Sequence, residues 1–231
     1  MPVTPAELAA AAAGAVAVGA EAVHLHPRGG DGTESVRAGD VAPAVAAVRQ
    51  ACGSVSIGVS TGLWISNGDP GARRAAVVEW AALPPSVRPD FASVNLSEPD
   101  SADLVDVLHA AGIAVEAGIW SVADARAVAA IRPPAGWLRI LVEILNAASA
   151  GAVAAADEIL HQLDESGVTG PRLLHGEQAA CWPLVTHAGR LGLPTRIGLE
   201  DTTVGPAGGP VRDNAELVQL ALAQWTAAAA L

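Results

Sequence analysis

The feature that most constrains this chain is a regular alternation of short apolar runs with helix-like stretches. The runs are 21–27 (EAVHLHP), 55–61 (VSIGVST), 91–97 (FASVNLS), 113–120 (IAVEAGIW), 138–145 (LRILVEIL), 172–177 (RLLHGE) and 195–201 (TRIGLED). Between them lie helix-like segments at 40–51, 102–111, 124–130, 149–165 and 178–190, and 213–230 follows the last run. Glycines at 112, 136, 167, 170 and 192 punctuate the joints. Strand–helix alternation of this kind implies a parallel sheet, and many repeats of the unit imply a (β/α) barrel. A doubly wound open sheet is the second choice. About seven strands are counted, one short of the usual eight of a TIM barrel. The chain opens on a helix-like stretch, 5–19, so the strand lacking is the first. No linker interrupts the pattern, so the expectation is a single, N-terminally shortened barrel domain over 1–231.

Composition excludes several function classes. A net charge of −11 argues against a nucleic-acid partner, which requires a basic face. The sequence holds no lysine, and all 13 basic residues are arginines, so Schiff-base chemistry through lysine is ruled out. Carbonyl chemistry here must place its negative charge on a metal or on hydrogen-bond donors. Cys52 and Cys181 are too few for a disulfide framework and lack metal-type spacing. No signal peptide or membrane span is expected, which points to a cytoplasmic protein.

The chemistry-bearing residues gather at the ends of the apolar runs. His24 and His26, two apart, share one face of a strand, and Arg28 follows in a Pro-Arg-Gly-Gly loop. Two imidazoles on one face suit a pair of metal ligands; the alternative is two core histidines, each with its own backbone partner. A third ligand is available in Glu200 or Asp201, adjacent residues that face opposite ways on a strand. A His₂-carboxylate set with an open position is a catalytic zinc pattern. Arg196, four residues before Glu200, falls on its face and can pair with a carboxylate or an anionic substrate. Ser60, Thr61 and Gly62 end the second run, Ser93 and Asn95 share a face of the third, and Glu116 lies in the fourth. His175 lies on a strand run two residues before Glu177. His109, His161 and His187 fall in helices, where surface or helix-end roles are expected. Polar groups at the same end of most strands are what an active-site ring at a barrel mouth requires.

Three segments in this order (AVHLHPRGGDGTES, GVSTG with PDFASVN, and RIGLEDTTVGPAGGPVRDNAELV) resemble the β-keto acid cleavage enzymes, whose type member is the 3-keto-5-aminohexanoate cleavage enzyme. The resemblance runs from about residue 21 to the last helix. It implies a TIM barrel and a Zn²⁺ ion held by His24, His26 and Glu200. It also implies a Claisen-type exchange, in which a β-keto acid and acetyl-CoA give acetoacetate and a new acyl-CoA. Ser60 would bind the keto acid with the neighbouring Thr61 and Gly62. Ser93, where the family usually has threonine, would also contact it, with Asn95 and Arg28 beside it. Arg196 and Asp201 would form the base system, with Glu116 as the next candidate. Such barrels tend to be homo-oligomers.

Several positions depart from the family pattern. The first strand, which normally carries a residue that helps choose the substrate, is lacking. Gly118 replaces the second glutamate of the family's P-E-x-E strand, and Leu63 stands where a glycine usually follows S-T-G. Two further readings therefore stand beside the first. One is a non-catalytic barrel that keeps the metal and binds a keto acid or acyl-CoA. The other is an amidohydrolase-like metal hydrolase, which also uses H-x-H on a barrel strand.

Overall fold

The computed structural model describes residues 1–131, 136–145 and 148–230. Six strands lie in one sheet in chain order: β1 (Ala22–Leu25), β2 (Ser56–Ser60), β3 (Phe91–Asn95), β4 (Ala114–Ile119), β5 (Arg139–Ile144) and β6 (Arg172–Gly176). The β1–β2, β2–β3 and β5–β6 pairs are parallel. The helices are α1 (Pro5–Ala17), α2 (Ala38–Cys52), α3 (Pro70–Val78), α4 (Ser101–Ala110), α5 (Val122–Ala130), α6 (Ser149–Glu165), α7 (Cys181–Leu191) and α8 (Asn214–Ala229). The protein is thus a parallel α/β fold. No described helix is long and apolar enough to cross a membrane.

The strand count expected from the sequence needs correction. Among the described residues the seventh run, 195–201, forms no strand. Leu174 N donates to Pro194 O at 3.0 Å, but the next contact comes from a side chain, Thr195 Oγ1 to Leu174 O at 2.8 Å. The chain then closes a turn in which the amides of Asp201 and Thr202 both donate to Gly198 O. Spacing arguments that treat Arg196 and Glu200 as strand neighbours therefore fail in their premise. The one-turn helix Leu63–Ser66 and helix α3 are further elements that the sequence reading did not anticipate.

The chain divides into two compact units. One holds Pro2–Ala117 and Arg132–Leu138; the other holds Gly118–Ile131 and Arg139–Leu231, with Met1. In the first, α1 starts on a capping box: Glu7 N donates to Thr4 Oγ1, and the Glu7 carboxylate accepts from Thr4 N. Pro5 at the first helical position gives up no useful donor. Eight of its 13 residues are alanine, and only a thin stripe (Leu8, Ala12, Ala15) is buried. Strand β3 is buried along its whole length, as a parallel strand covered on both faces must be. Gly58 on β2 is the register partner of both His24 and Phe91. A Cβ there would run into the Phe91 ring, so glycine is what lets that ring fill the layer beneath His24.

In the second unit, β5 and β6 pair from Ile140↔Arg172 to Ile144↔Gly176. Helix α7 packs on α8 at Gly189, where a Cβ would strike the backbone of Trp225. The Trp225 indole caps this contact by donating to Leu193 O at 2.8 Å. Close helix approach and a satisfied indole together fix the last helix.

Candidate functional site

In the first unit the polar groups cluster where β1 and β2 end. The His24 and His26 rings lie edge to face with centroids 5.1 Å apart, as expected for residues two apart on an extended segment. His26 Nδ1 lies 3.1 Å from Glu34 Oε2. That contact leaves the Nε2 edge of His26 to face elsewhere. The Trp64 indole donates to the same Glu34 oxygen at 2.9 Å, and Arg28 Nη2 stands 3.5 Å from the other. The hydrogen bond from His26 outweighs partial burial and holds the Glu34 carboxyl below its usual range. Arg28 also donates through Nη1 to Gly32 O at 2.8 Å, so its guanidinium braces the loop that carries Glu34. The Trp64 ring stacks on His26 and lies over Gly62, where a Cβ would collide with it. Gly62 therefore makes room for an aromatic ring.

The other candidates of this unit divide by what they touch. Ser60 and Ser93 are register partners, and both are buried. Ser60 Oγ accepts from Gly62 N at 3.3 Å, which shapes the turn. Thr61 donates its hydroxyl to Ser93 O at 2.6 Å, so it fastens β2 to β3. Asn95 donates to Glu98 Oε1 at 3.0 Å. Glu98 also accepts from Leu63 N and forms a buried ion pair with Arg73, which in turn donates to Thr61 O and Pro99 O. Glu116 on β4 is fully buried. Three residues are not singled out by the sequence: Arg73 and Glu98, which hold the S-T-G turn from behind, and Glu34, which holds His26.

In the second unit the centre is a residue not expected from the sequence, Glu143 on β5. It is the register partner of His175 on β6, so both side chains stand on one face. Glu143 Oε1 lies 2.8 Å from His175 Nε2 and accepts from Arg196 Nη2 at 3.1 Å. Its Oε2 accepts from the Trp120 indole at 2.6 Å. Burial pushes the Glu143 carboxyl up, but the His175 hydrogen bond and charge, with Arg196 and Trp120, outweigh it and hold the group down to about 2. Arg196 also reaches to 3.8 Å from Glu200 Oε1.

Asp201, only 2% exposed, lies with Oδ1 3.7 Å from His175 Nδ1. Its Oδ2 is buried with no hydrogen-bond partner. Burial raises it to about 6, against the pull of His175. Glu177 is also raised, by burial first and then by the charges of Glu143 and Glu200. A carboxylate poised near neutrality beside an arginine is what a general base needs. The signal for Glu143 was present, since a lone acid inside an apolar strand demands a partner. Only the register of β5 on β6 shows which partner it has. Of the histidines outside the runs, His161 pairs with Glu165 on the surface of α6 and His187 with Asp157, as expected of helix-borne histidines.

A comparison with known proteins now bears on these residues. The profile of the beta-keto acid cleavage enzymes matches residues 1–229. The chain belongs to that family. No curated protein matches it. Among solved structures, the apo form of ObcA superposes with a TM-score of 0.72 at 18% identity, over 97% of this chain and 61% of that one. A ternary complex of ObcA with a C4-CoA adduct and oxalate gives 0.72 at 19% identity, covering 97% and 63%. A binary complex of ObcA with oxaloacetate gives 0.71 at 18%, with the same coverage. At these identities the likeness is one of fold. The chain spans about three-fifths of the length of those structures.

Proposed function

We propose that this protein is a zinc-dependent β-keto acid cleavage enzyme built on a single (β/α)-barrel domain, exchanging acyl groups between a β-keto acid and acetyl-CoA. The family match over residues 1–229 carries this reading. ObcA, similar in fold, is seen with oxaloacetate, which is itself a β-keto acid, and with a CoA adduct.

The proposed metal ligands are His24, His26 and Glu200, a donor set of the kind that holds a divalent ion. Their chemistry fits. The Glu34 contact is on His26 Nδ1, so Nε2 is the proposed ligand atom, and a carboxylate behind a histidine ligand is the usual support for such a site. Zinc bound there would supply Lewis-acid stabilisation of the enolate's negative charge.

Asp201 is the proposed base. It removes a proton from the carbon between the carboxylate and the ketone of the substrate. The resulting carbanion attacks the thioester carbon of acetyl-CoA, and the acetyl group ends on that carbon as acetoacetate. The CoA thiolate expelled in that step attacks the original ketone carbon, the bond from that carbon to the central carbon breaks, and the proton held by Asp201 returns to the central carbon, so acetoacetate and the new acyl-CoA form with no further reactant. Arg196 orients the base and is itself braced by Glu143. Ser60 and Ser93 are proposed to hold the substrate carboxylate, with Gly62 keeping the turn open. Thr61 and Asn95 act behind them through the contacts described above. Arg28 shapes the rim through the Glu34 loop, and Glu116 is kept as the reserve base. The protein is further proposed to act as a homo-oligomer, which sedimentation would test.

Gly118 and Leu63 place no acid where an amino tail would need one. A buried, unpaired charge costs several kcal/mol, so substrates with uncharged tails are expected to be preferred. The test is a coupled assay with acetyl-CoA and a panel of β-keto acids, including 3-keto-5-aminohexanoate. Acyl-CoA formed from an unbranched keto acid supports the reading. No acyl exchange with any member sinks it, and a preference for the amino substrate overturns the pocket argument.

A further inference from the structure

We propose that His175 is a positioning residue for the base system, holding Glu143, the brace of Arg196, in place through Nε2, with its Nδ1 edge turned toward Asp201. This rests on the reading of Asp201 as the base given above.

His175 is 1% exposed and stands on β6. A buried structural histidine is ordinarily satisfied by a backbone carbonyl. Here both ring edges face carboxylates. Nε2 lies 2.8 Å from Glu143 Oε1, the oxygen that also accepts from Arg196. Nδ1 has no hydrogen bond in this geometry, and the nearest carboxylate, Asp201 Oδ1, is 3.7 Å away. One imidazole therefore touches the brace of the arginine and stands over the base itself. The backbone repeats the arrangement. Gln178, just beyond β6, donates its amide to Asp201 O at 2.7 Å and adopts a left-handed φ of 51° to do so. A non-glycine residue held in that conformation is strained, and such strain collects at functional sites. The end of β6 thus ties the Asp201 main chain down, with the His175 ring beside its carboxylate. With His175 removed, Glu143 keeps Trp120 at Oε2 and only Arg196, at 3.1 Å, on Oε1.

Two substitutions separate the two edges. The amide of Gln reaches where Nε2 stands, and that of Asn reaches where Nδ1 stands. The expected result is that His175→Ala lowers kcat by about 10²-fold, the loss typical of a misplaced catalytic group, with KM nearly unchanged. His175→Gln should recover most of that loss, and His175→Asn should not. A second readout needs no substrate. The Trp120 indole reports on Glu143 through its 2.6 Å bond, so its ¹H–¹⁵N resonance should move in the Ala and Asn variants and stay in place in Gln. Equal kcat in all three variants and wild type, or an unmoved Trp120 resonance in the Ala variant, overturns the proposal. If wild type exchanges no acyl group at all, the functional reading falls, and the Trp120 resonance alone decides whether His175 holds Glu143. Circular dichroism of each variant separates misfolding from mispositioning.

Discussion

Two carboxylates, one in each unit, are clasped by the same three residue types. Glu34 meets the imidazole of His26, the indole of Trp64 and the guanidinium of Arg28. Glu143 meets the imidazole of His175, the indole of Trp120 and the guanidinium of Arg196. The chemistry matches and the environments do not. Glu34 is half-buried beside a tryptophan that is 53% exposed, whereas Glu143 is 7% exposed. Glu34 takes the Nδ1 edge of its histidine and Glu143 takes the Nε2 edge. Around Glu34 the hydrogen bond from His26 outweighs the desolvation of a half-buried group. Around Glu143 burial works against ionisation, and three donors are needed to reverse it. The lesson is that one polar clasp serves two ends. At a half-buried position it orients an imidazole. In an interior it keeps a charge in place that would otherwise be given up.

Four measurements test whether the two clasps differ in this way. The largest effect is expected at Asp201, beside the buried clasp. Asp201→Asn keeps the shape and removes the carboxylate proposed as the base, so turnover should fall by about 10²- to 10⁴-fold while zinc content stays at the wild-type level. Wild-type turnover would move the base to Glu116.

Next is the acid stability carried by Glu143. Its folded value, about 2, lies below the ordinary 4.5, so its contribution is fully present above about 4.5 and is lost as pH falls toward 2. The difference is worth about 3 kcal/mol. Urea unfolding followed from pH 5 to pH 2 should show this loss in wild type and a flattened slope in Glu143→Gln. Parallel curves for the two proteins would mean that the clasp does not favour the charge.

The rim clasp should respond in metal affinity instead. Glu34→Gln keeps a hydrogen-bond partner for His26 but loses the carboxylate, and zinc affinity should drop about 10- to 100-fold in a chelator competition. Unchanged affinity would separate Glu34 from the metal site.

The smallest effect tests the support behind Trp120. Ser121 accepts from Asp124 N at 3.2 Å and caps α5. Ser121→Ala should lower unfolding free energy by about 1 kcal/mol. A loss several times larger would mean that the cap also holds the Trp120 indole against Glu143.

What the sequence by itself determined was set by local periodicity and residue type. Six apolar runs became strands within a residue or two of their expected bounds, and the helix at 149–165 matches α6. Two-residue spacing placed His24 and His26 together, because strand side chains alternate faces wherever the strand lies. The absence of lysine excluded one chemistry before any fold was considered. The ordered motifs sufficed to point to the family.

What only the tertiary structure decided was everything that depends on non-local pairing. The run at 195–201 reads as a strand, but backbone pairing gives way to a side-chain bond and a turn, which no local pattern encodes. Gly62 reads as a flexible turn residue, and the position of Trp64 shows it to be a space for a ring. Glu143 met no partner in its own segment. His175 lies 32 residues away and Arg196 lies 53 away, and they arrive only when β6 settles in register on β5. A buried acid announces that it needs a donor, since leaving it alone costs too much. Which donor it finds is set by strand register, and register is a property of the packed sheet.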